Sequence, residues 1–312
     1  MSFFSRFRKP TPKKEDLARV SVNLFDDQFL RRLETLSLTS RRANAGVRRG
    51  ERRSRKKGSG VEFADHRPYA PGDDIRFLDI GVYQRFGKLL LRLFEEEEDL
   101  SLYFLVDTSA SMAAHNSSKL NQAAKITAAL AYVALASLDR VSVLTLNSQI
   151  ATRLPPTRGK ARAFRVLRFL SEMSASGQTD LSQALKAFVA QNRRRGLAIL
   201  LTDLYDPQGF EAGLNVLRFN KFDVVVLHLV DRLDAEPNLR GDLRLVDSET
   251  QEEREVSVTP QLMYKLQEEV ERRQEEIERF CASRGVLHIR VDAQAPFDEV
   301  VLKVLRAGGL LR

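Results

Sequence analysis

The chain has 312 residues, 43% hydrophobic and 29% charged, which supplies enough apolar material for a folded core and excludes a disordered polymer. Fifty Lys and Arg against 42 Asp and Glu give a net charge of +8, a balance that invites a nucleic-acid or membrane-surface reading. The distribution weakens that reading, because residues 1–60 hold 17 basic and 6 acidic residues, so +11 sits at the N-terminal end and the remainder carries −3.

In chain order, Leu24, Phe25, Phe29, Leu30, Leu33 and Leu36 recur at spacings that predict an amphipathic helix over 24–38. The densest basic run, Arg41 to Lys57, follows without an interleaved aromatic residue and so offers no platform for base stacking. It reads as a solvated loop, with contact to nucleic acid, an anionic membrane or an acidic partner as the alternative. Residues 1–60 are thus expected to form a basic arm with one helix. Residues 61–99, punctuated by Pro68, Pro71 and Gly72, read as an irregular lead-in that ends in a strand and an acidic solvated turn at 95–99.

From Leu100 onward, short apolar runs alternate with helical stretches. Strands are predicted at 100–107, 141–147, 197–203, 222–230 and 286–291, with a short return at 150–154. Helices are predicted at 118–138, 160–173, 181–192, 209–220, 260–283 and 297–306, the fifth of these opening on Pro260, whose missing N–H costs nothing there. The alternation argues an α/β fold over 100–306, a doubly wound and mostly parallel sheet flanked by helices. Residues 242–258 interrupt it with two β-like arms, read as an inserted β-hairpin.

A single cysteine, Cys281, excludes an intramolecular disulfide and reads as packing, and four histidines with one cysteine leave no zinc-type cluster. No apolar run suits a signal peptide or a membrane span, so the expected location is the cytoplasm, or the periphery of the inner membrane.

In open α/β sheets the chemistry gathers at the carboxyl ends of the central strands. Two predicted strands end there in aspartate, Asp107 and Asp203. The loop after the first, DTSASM, sets Asp107, Ser109 and Ser111 at alternating positions, which turns three oxygens to one side. Such hard ligands suit Mg2+, which keeps part of its octahedron for water or a partner's oxygen. Thr179 precedes a helix that should bring its hydroxyl to the same crevice, while Asp180 beside it reads as the helix cap. Asp107 and Asp203 could instead only cap strand ends, and Ser109 and Ser111 only cap a helix.

Asp-x-Ser-x-Ser, an isolated Thr and a strand-terminal Asp resemble the metal-ion-dependent adhesion site of von Willebrand factor A domains. The preceding RPYAPGDDIRFLDIGVYQRFGKLLLRLFEEEEDL resembles the signature of the bacterial domain-of-unknown-function family 58. The usual Asp-Trp of that signature is here Asp79-Ile80, and the chain has no Trp. The resemblance implies a von Willebrand A-like fold and a metal site of Asp107, Ser109, Ser111, Thr179 and Asp203 holding Mg2+ or Mn2+. It also implies a MoxR-type AAA+ ATPase as partner, with an acidic protein ligand. The expected function is a non-catalytic adaptor or co-chaperone in the assembly or maturation of protein complexes. Arg67, Asp73, Asp74, Arg76, Asp79 and Arg85 of the lead-in either form a salt-bridge network or contact the partner. The competing readings are a Mg-dependent phosphatase-like hydrolase using Asp107, which lacks a second Asp two positions on, and attachment to nucleic acid or membrane through residues 41–57.

Overall fold

Side-chain alternation along the central strands decides the architecture. In the computed structural model, the residues described are 7–8, 18–47, 57–58, 62–95, 100–232, 239, 241–247 and 252–307. The N-terminal elements are strands β1 (Phe7–Arg8) and β2 (Ala18–Arg19), helix α1 (Asp27–Val47), strands β3 (Lys57–Gly58) and β4 (Glu62–Pro68), helix α2 (Ile80–Phe86) and strand β5 (Leu90–Glu95). Next come β6 (Ser101–Asp107), α3 (Ala114–Ala136), β7 (Arg140–Leu146), β8 (Ile150–Arg158), α4 (Ala163–Ser171), β9 (Ser174–Ala175) and α5 (Leu181–Gln191). The chain continues through β10 (Leu197–Thr202), α6 (Glu211–Phe219), β11 (Asp223–Val230), β12 (Gly241–Asp247), β13 (Glu253–Val258), α7 (Pro260–Ser283), β14 (Leu287–Asp292) and α8 (Phe297–Ala307).

The central sheet has six strands in the order β14-β11-β10-β6-β7-β8, parallel except for β8, which pairs antiparallel with β7 at the edge. All seven residues of β6 are buried, because both faces of the sheet are covered. Leu102, Phe104 and Val106 join one core with Ile199, Leu201, Val225 and Leu227, packed by α1, α3, α4 and α8. Tyr103 and Leu105 point the other way, with Ala198, Leu200, Val224 and Val226, into a second core closed by α5, α6 and α7. This period of two on a doubly covered sheet is the doubly wound α/β scheme that the sequence predicts. Gly213 lets α6 lie close to α5, since a Cβ there would stand 2.9 Å from Leu185 and 3.1 Å from the Leu181 carbonyl.

The hairpin β12–β13 forms as expected, but lies outside the central sheet and is extended by β1 into a three-stranded sheet. Thr259 caps α7 by accepting from the Leu262 N–H at 3.2 Å, and Pro260 takes the first helical position. Cys281 is fully buried, and burial pushes its thiol up to about 11, which fits a packing role. Among the described residues, no helix is long and apolar enough to cross a membrane.

The N-terminal segments differ from the sequence reading. The helix predicted over 24–38 runs from Asp27 to Val47 and so takes in the start of the basic run; most of the rest of that run lies outside the described residues. Leu24, Phe29, Leu33 and Leu36 are buried in the main core, and Phe29 packs on Phe297 at 4.9 Å between ring centroids. This part is therefore integral to the body. The compact units are Met1–Arg41 with Leu100–Arg312, and Arg42–Asp99.

The second unit is more ordered than an irregular lead-in. β3, β5 and β4 form an antiparallel sheet, and α2 is capped by the Asp79 carboxylate, which accepts from the Val82 N–H at 3.1 Å. Gly87, at φ +66°, ends that helix in the left-handed region. The acidic turn expected at 95–99 falls mostly outside the described residues.

Candidate functional site

The chain leaves β6 for β7 on one side and later enters β10 on the other, so the strand order reverses between β6 and β10. A crevice opens at the carboxyl ends of strands where such a reversal occurs. Asp107 ends β6 and Asp203 follows β10, both essentially without solvent exposure.

Each carboxylate spends one oxygen on its own turn. Asp107 Oδ1 accepts from the Ser109 N–H at 2.9 Å, and Asp203 Oδ1 accepts from the Tyr205 N–H at 3.2 Å. The second oxygens do different work. Thr202 Oγ1 donates to Asp107 Oδ2 at 2.6 Å while accepting from the Leu204 N–H at 3.0 Å. Leu204 adopts φ +56°, a left-handed conformation that a branched residue seldom takes and that the Thr202 and Asp203 turns hold in place. Asp203 Oδ2 accepts from Lys119 Nζ at 2.7 Å, an ion pair with 0% and 1% side-chain exposure.

Ser109 and Ser111 do not cap a helix. Ser109 precedes the short 3-10 turn Ala110–Ala113 without a side-chain cap bond, and α3 has none either. The two buried hydroxyl oxygens stand 3.0 Å apart. Thr179 is buried on a loop pinned from both ends. On one side the Ala110 N–H donates to the Gly177 carbonyl at 3.0 Å and the Ser176 N–H to the Thr108 carbonyl at 2.8 Å. On the other, the Leu181 N–H donates to Asp206 Oδ2 at 2.7 Å. Gly177, at φ +78°, makes the turn between them. The loop carrying Thr179 therefore lies between the loop of Asp107 and the loop of Asp203. Asp180 caps α5 by accepting from the Gln183 N–H at 2.7 Å, the role its sequence position predicts.

Burial, followed by the like charge of Asp203, pushes Asp107 up to about 6. Two buried carboxylates with one ammonium leave a residual negative charge, which fits a further cation. The separation of the Ser109 and Ser111 hydroxyls also matches the edge of a Mg2+ octahedron, about 2.9 Å for oxygens at ~2.05 Å from the ion. The donor set is thus suited to a hard divalent ion held by Asp107, Ser109, Ser111 and Thr179, while Asp203 is committed to Lys119. Among the described residues, no three His, Cys, Asp or Glu side chains converge as a metal cluster, so hydroxyls would supply most of the protein ligands.

Two residues here escaped the sequence reading. Asp231, fully buried, follows β11 as Asp203 follows β10 and receives a hydrogen bond from the Ser118 hydroxyl. Its signal was available, since LVD at 229–231 repeats the pattern of LVD at 105–107. Lys119 had no such signal. Ser118 and Lys119 are adjacent on α3, and together they engage the aspartates that follow two neighbouring strands. Beside them, His228 is buried with its Nδ1 3.3 Å from His288 Nε2; burial, then His288 and Arg290, lower its pKa to about 3 and keep the ring neutral.

The lead-in residues form separate local pairs. Arg67 meets Asp73 at 2.6 Å, Arg76 meets Asp74 at 2.6 Å, and Asp79 accepts from His66 at 2.9 Å with Arg92 at 4.0 Å. These hydrogen bonds hold the three carboxyls below their ordinary range. Arg85 is exposed in the last turn of α2, and Ile80, at the position of the signature's Trp, is 61% exposed.

The model of the family described as "Protein of unknown function DUF58" matches residues 65–276. The uncharacterized protein Rv1480 of Mycobacterium tuberculosis is 29% identical over 242 residues, covering 76% of each chain. Among solved structures, the conserved hypothetical protein BatB from Bacteroides thetaiotaomicron is 14% identical, covers 68% of this chain and 98% of its own, and has a TM-score of 0.42. The pilus adhesin SpaC from Lactobacillus rhamnosus GG is 12% identical, with 69% of this chain and 30% of its own covered and a TM-score of 0.42.

Proposed function

The chain belongs to the DUF58 family of proteins of unknown function, and on that premise we propose that its β6/β10 crevice is a metal-dependent docking site for a carboxylate of a protein partner. Asp107, Ser109, Ser111 and Thr179 would hold Mg2+ or Mn2+, with Asp203 completing the charge around it. The bound ion supplies a concentrated positive charge and an open coordination position, which make an otherwise weak acidic contact selective. The chain's own residues prepare that position. Thr202 and the Ser109 amide orient Asp107, the pinned loop presents Thr179, and burial keeps competing water away.

The observation that carries this reading is the 3.0 Å pair of buried serine hydroxyls beside a buried carboxylate that retains uncompensated charge. The protein acts in the cytoplasm as a non-catalytic adaptor for a MoxR-type AAA+ ATPase, a partner implied by the sequence resemblance. Residue 109 offers a hydroxyl where a phosphatase of the haloacid-dehalogenase type needs its second carboxylate, which disfavours the hydrolase reading. The test immobilises the protein and measures recovery of the ATPase in Mg2+ and in EDTA, for wild type and for Ser109→Ala/Ser111→Ala. Recovery is expected to fall at least tenfold in EDTA and in the variant. Equal recovery in every arm overturns metal-dependent docking, and Mg2+-dependent turnover of p-nitrophenyl phosphate that disappears in Asp107→Asn replaces it with the hydrolase.

A further inference from the structure

We infer that Lys119 is a tethered cation of the crevice, a specificity-determining residue whose ammonium competes with the divalent ion for Asp203 and sets how tightly the site takes metal. The inference rests on the metal reading above. Lys119 is one of the largest fully buried side chains of the protein, and its Nζ lies 2.7 Å from Asp203 Oδ2 and 5.4 Å from the centre of the Tyr205 ring. A lysine is almost never enclosed in this way without a charge to answer. Here the charge is that of a side chain already assigned to the metal crevice.

The helix explains how the lysine arrives. The loop that carries Ser109 and Ser111 runs into the 3-10 turn Ala110–Ala113 and then into α3. Lys119, in the second turn of α3, therefore belongs to the same continuous segment as the proposed ligands. Ser118 beside it donates to Asp231, which fixes this turn of the helix at the strand ends. Lys125, six residues further on, is partly exposed, so burial is a property of position 119 and not of lysines on this helix.

Electrostatics give the direction. Asp107, Asp203 and Lys119 sum to a formal charge of −1 when all are ionised. Replacing the ammonium by a thioether makes the sum −2 and strengthens attraction for a divalent ion in a site without water screening. Asp203→Asn makes it zero and weakens that attraction. Combining Lys119→Met with Asp203→Asn restores −1 by removing both members of the ion pair together, so neither is left without the other. Metal affinity should therefore rank Lys119→Met above wild type, wild type close to the double variant, and both above Asp203→Asn.

The experiment titrates Mn2+ into the four full-length proteins, reads free Mn2+ by its paramagnetic resonance signal, and follows melting temperature at each concentration. Lys119→Met is expected to bind at least tenfold more tightly than wild type and to gain more thermal stability from Mn2+. If Lys119→Met does not fold, the double variant against Asp203→Asn carries the same test, with at least tenfold tighter binding expected in the double variant. Wild type that binds Mn2+ with no gain in Lys119→Met, or equal binding by the double variant and Asp203→Asn, overturns the inference and leaves the metal reading standing. Binding that appears only when the ammonium is removed supports the inference and overturns metal-dependent docking by the wild type. No binding by any of the four overturns both.

Discussion

Two regions of this molecule pair aspartate with a cation at nearly the same distance, and they do so in opposite environments. In the crevice, Lys119 meets Asp203 at 2.7 Å with side-chain exposures of 0% and 1%. In the 42–99 unit, Arg76 meets Asp74 at 2.6 Å with exposures of 82% and 40%. Distance alone does not rank them. Water screens the second pair and competes for its hydrogen bonds, whereas the first has exchanged hydration for enclosed protein contacts and is costly to break. The difference is in keeping with the charge selection proposed for the crevice, and the exposed pairs shape turns locally, as Asp74 and Asp79 show by capping the short helices that follow them.

The largest effect that would break this contrast comes from the lysine. Lys119→Met in metal-free buffer should cost about 3–5 kcal/mol in urea unfolding, the usual penalty for leaving a buried charge unpartnered. A loss no larger than that of Arg76→Ala would mean that the crevice is wetter than its burial implies.

Acid–base behaviour sharpens the same contrast at a somewhat smaller scale. Asp107 titrates near 3.8 when unfolded and near 6 when folded, so between those values the folded protein holds a proton that the unfolded chain has released. Its contribution to stability is therefore present below about pH 4 and declines as pH rises to about 6, by roughly 3 kcal/mol in the absence of metal. His228 has the opposite sign, because its folded pKa lies far below 6.5, so its contribution is lost as pH falls below that value. Comparing wild type with Asp107→Asn in EDTA between pH 4 and 7 isolates the aspartate, and parallel curves would remove it as a titrating group. Metal binding, which needs the carboxylate, should strengthen as pH rises through 6.

Ser109→Ala/Ser111→Ala should cost only about 2 kcal/mol, since the two paired hydroxyls are removed together and Asp107 loses the hydrogen bond of the Ser109 side chain. It should nevertheless weaken Mn2+ binding at least tenfold in the same resonance assay, separating ligands from scaffold. The smallest effects belong to the second unit. Arg67→Ala and Arg76→Ala should leave the melting temperature unchanged within reproducibility, and a clear drop would show that these pairs act as more than exposed contacts.

Sequence alone determined the alternation of strands and helices from Leu100 onward, because a doubly covered sheet demands short continuous apolar runs and its helices demand a different period. It also placed the strand-terminal aspartates, the serines two and four positions after Asp107, and the Asp180 cap, all of which follow from local backbone geometry. Tertiary structure alone decided three things. The two-residue strands β1 and β2 pair with partners far along the chain and leave no periodic trace, so the N-terminal segment reads in sequence as a basic arm although apolar side chains of α1 and the turn before it enter the main core. The three-stranded sheet around β5 was likewise obscured by the prolines and glycine of its connections. Lys119 carried no signal, because a lysine on a helix reads as solvated until the surrounding loops are in place. Whether a charge is exposed or enclosed depends on what packs around it, and for Lys119 the neighbours include Asp203 and Tyr205, which follow β10, with His228 of β11 close enough to feel its charge.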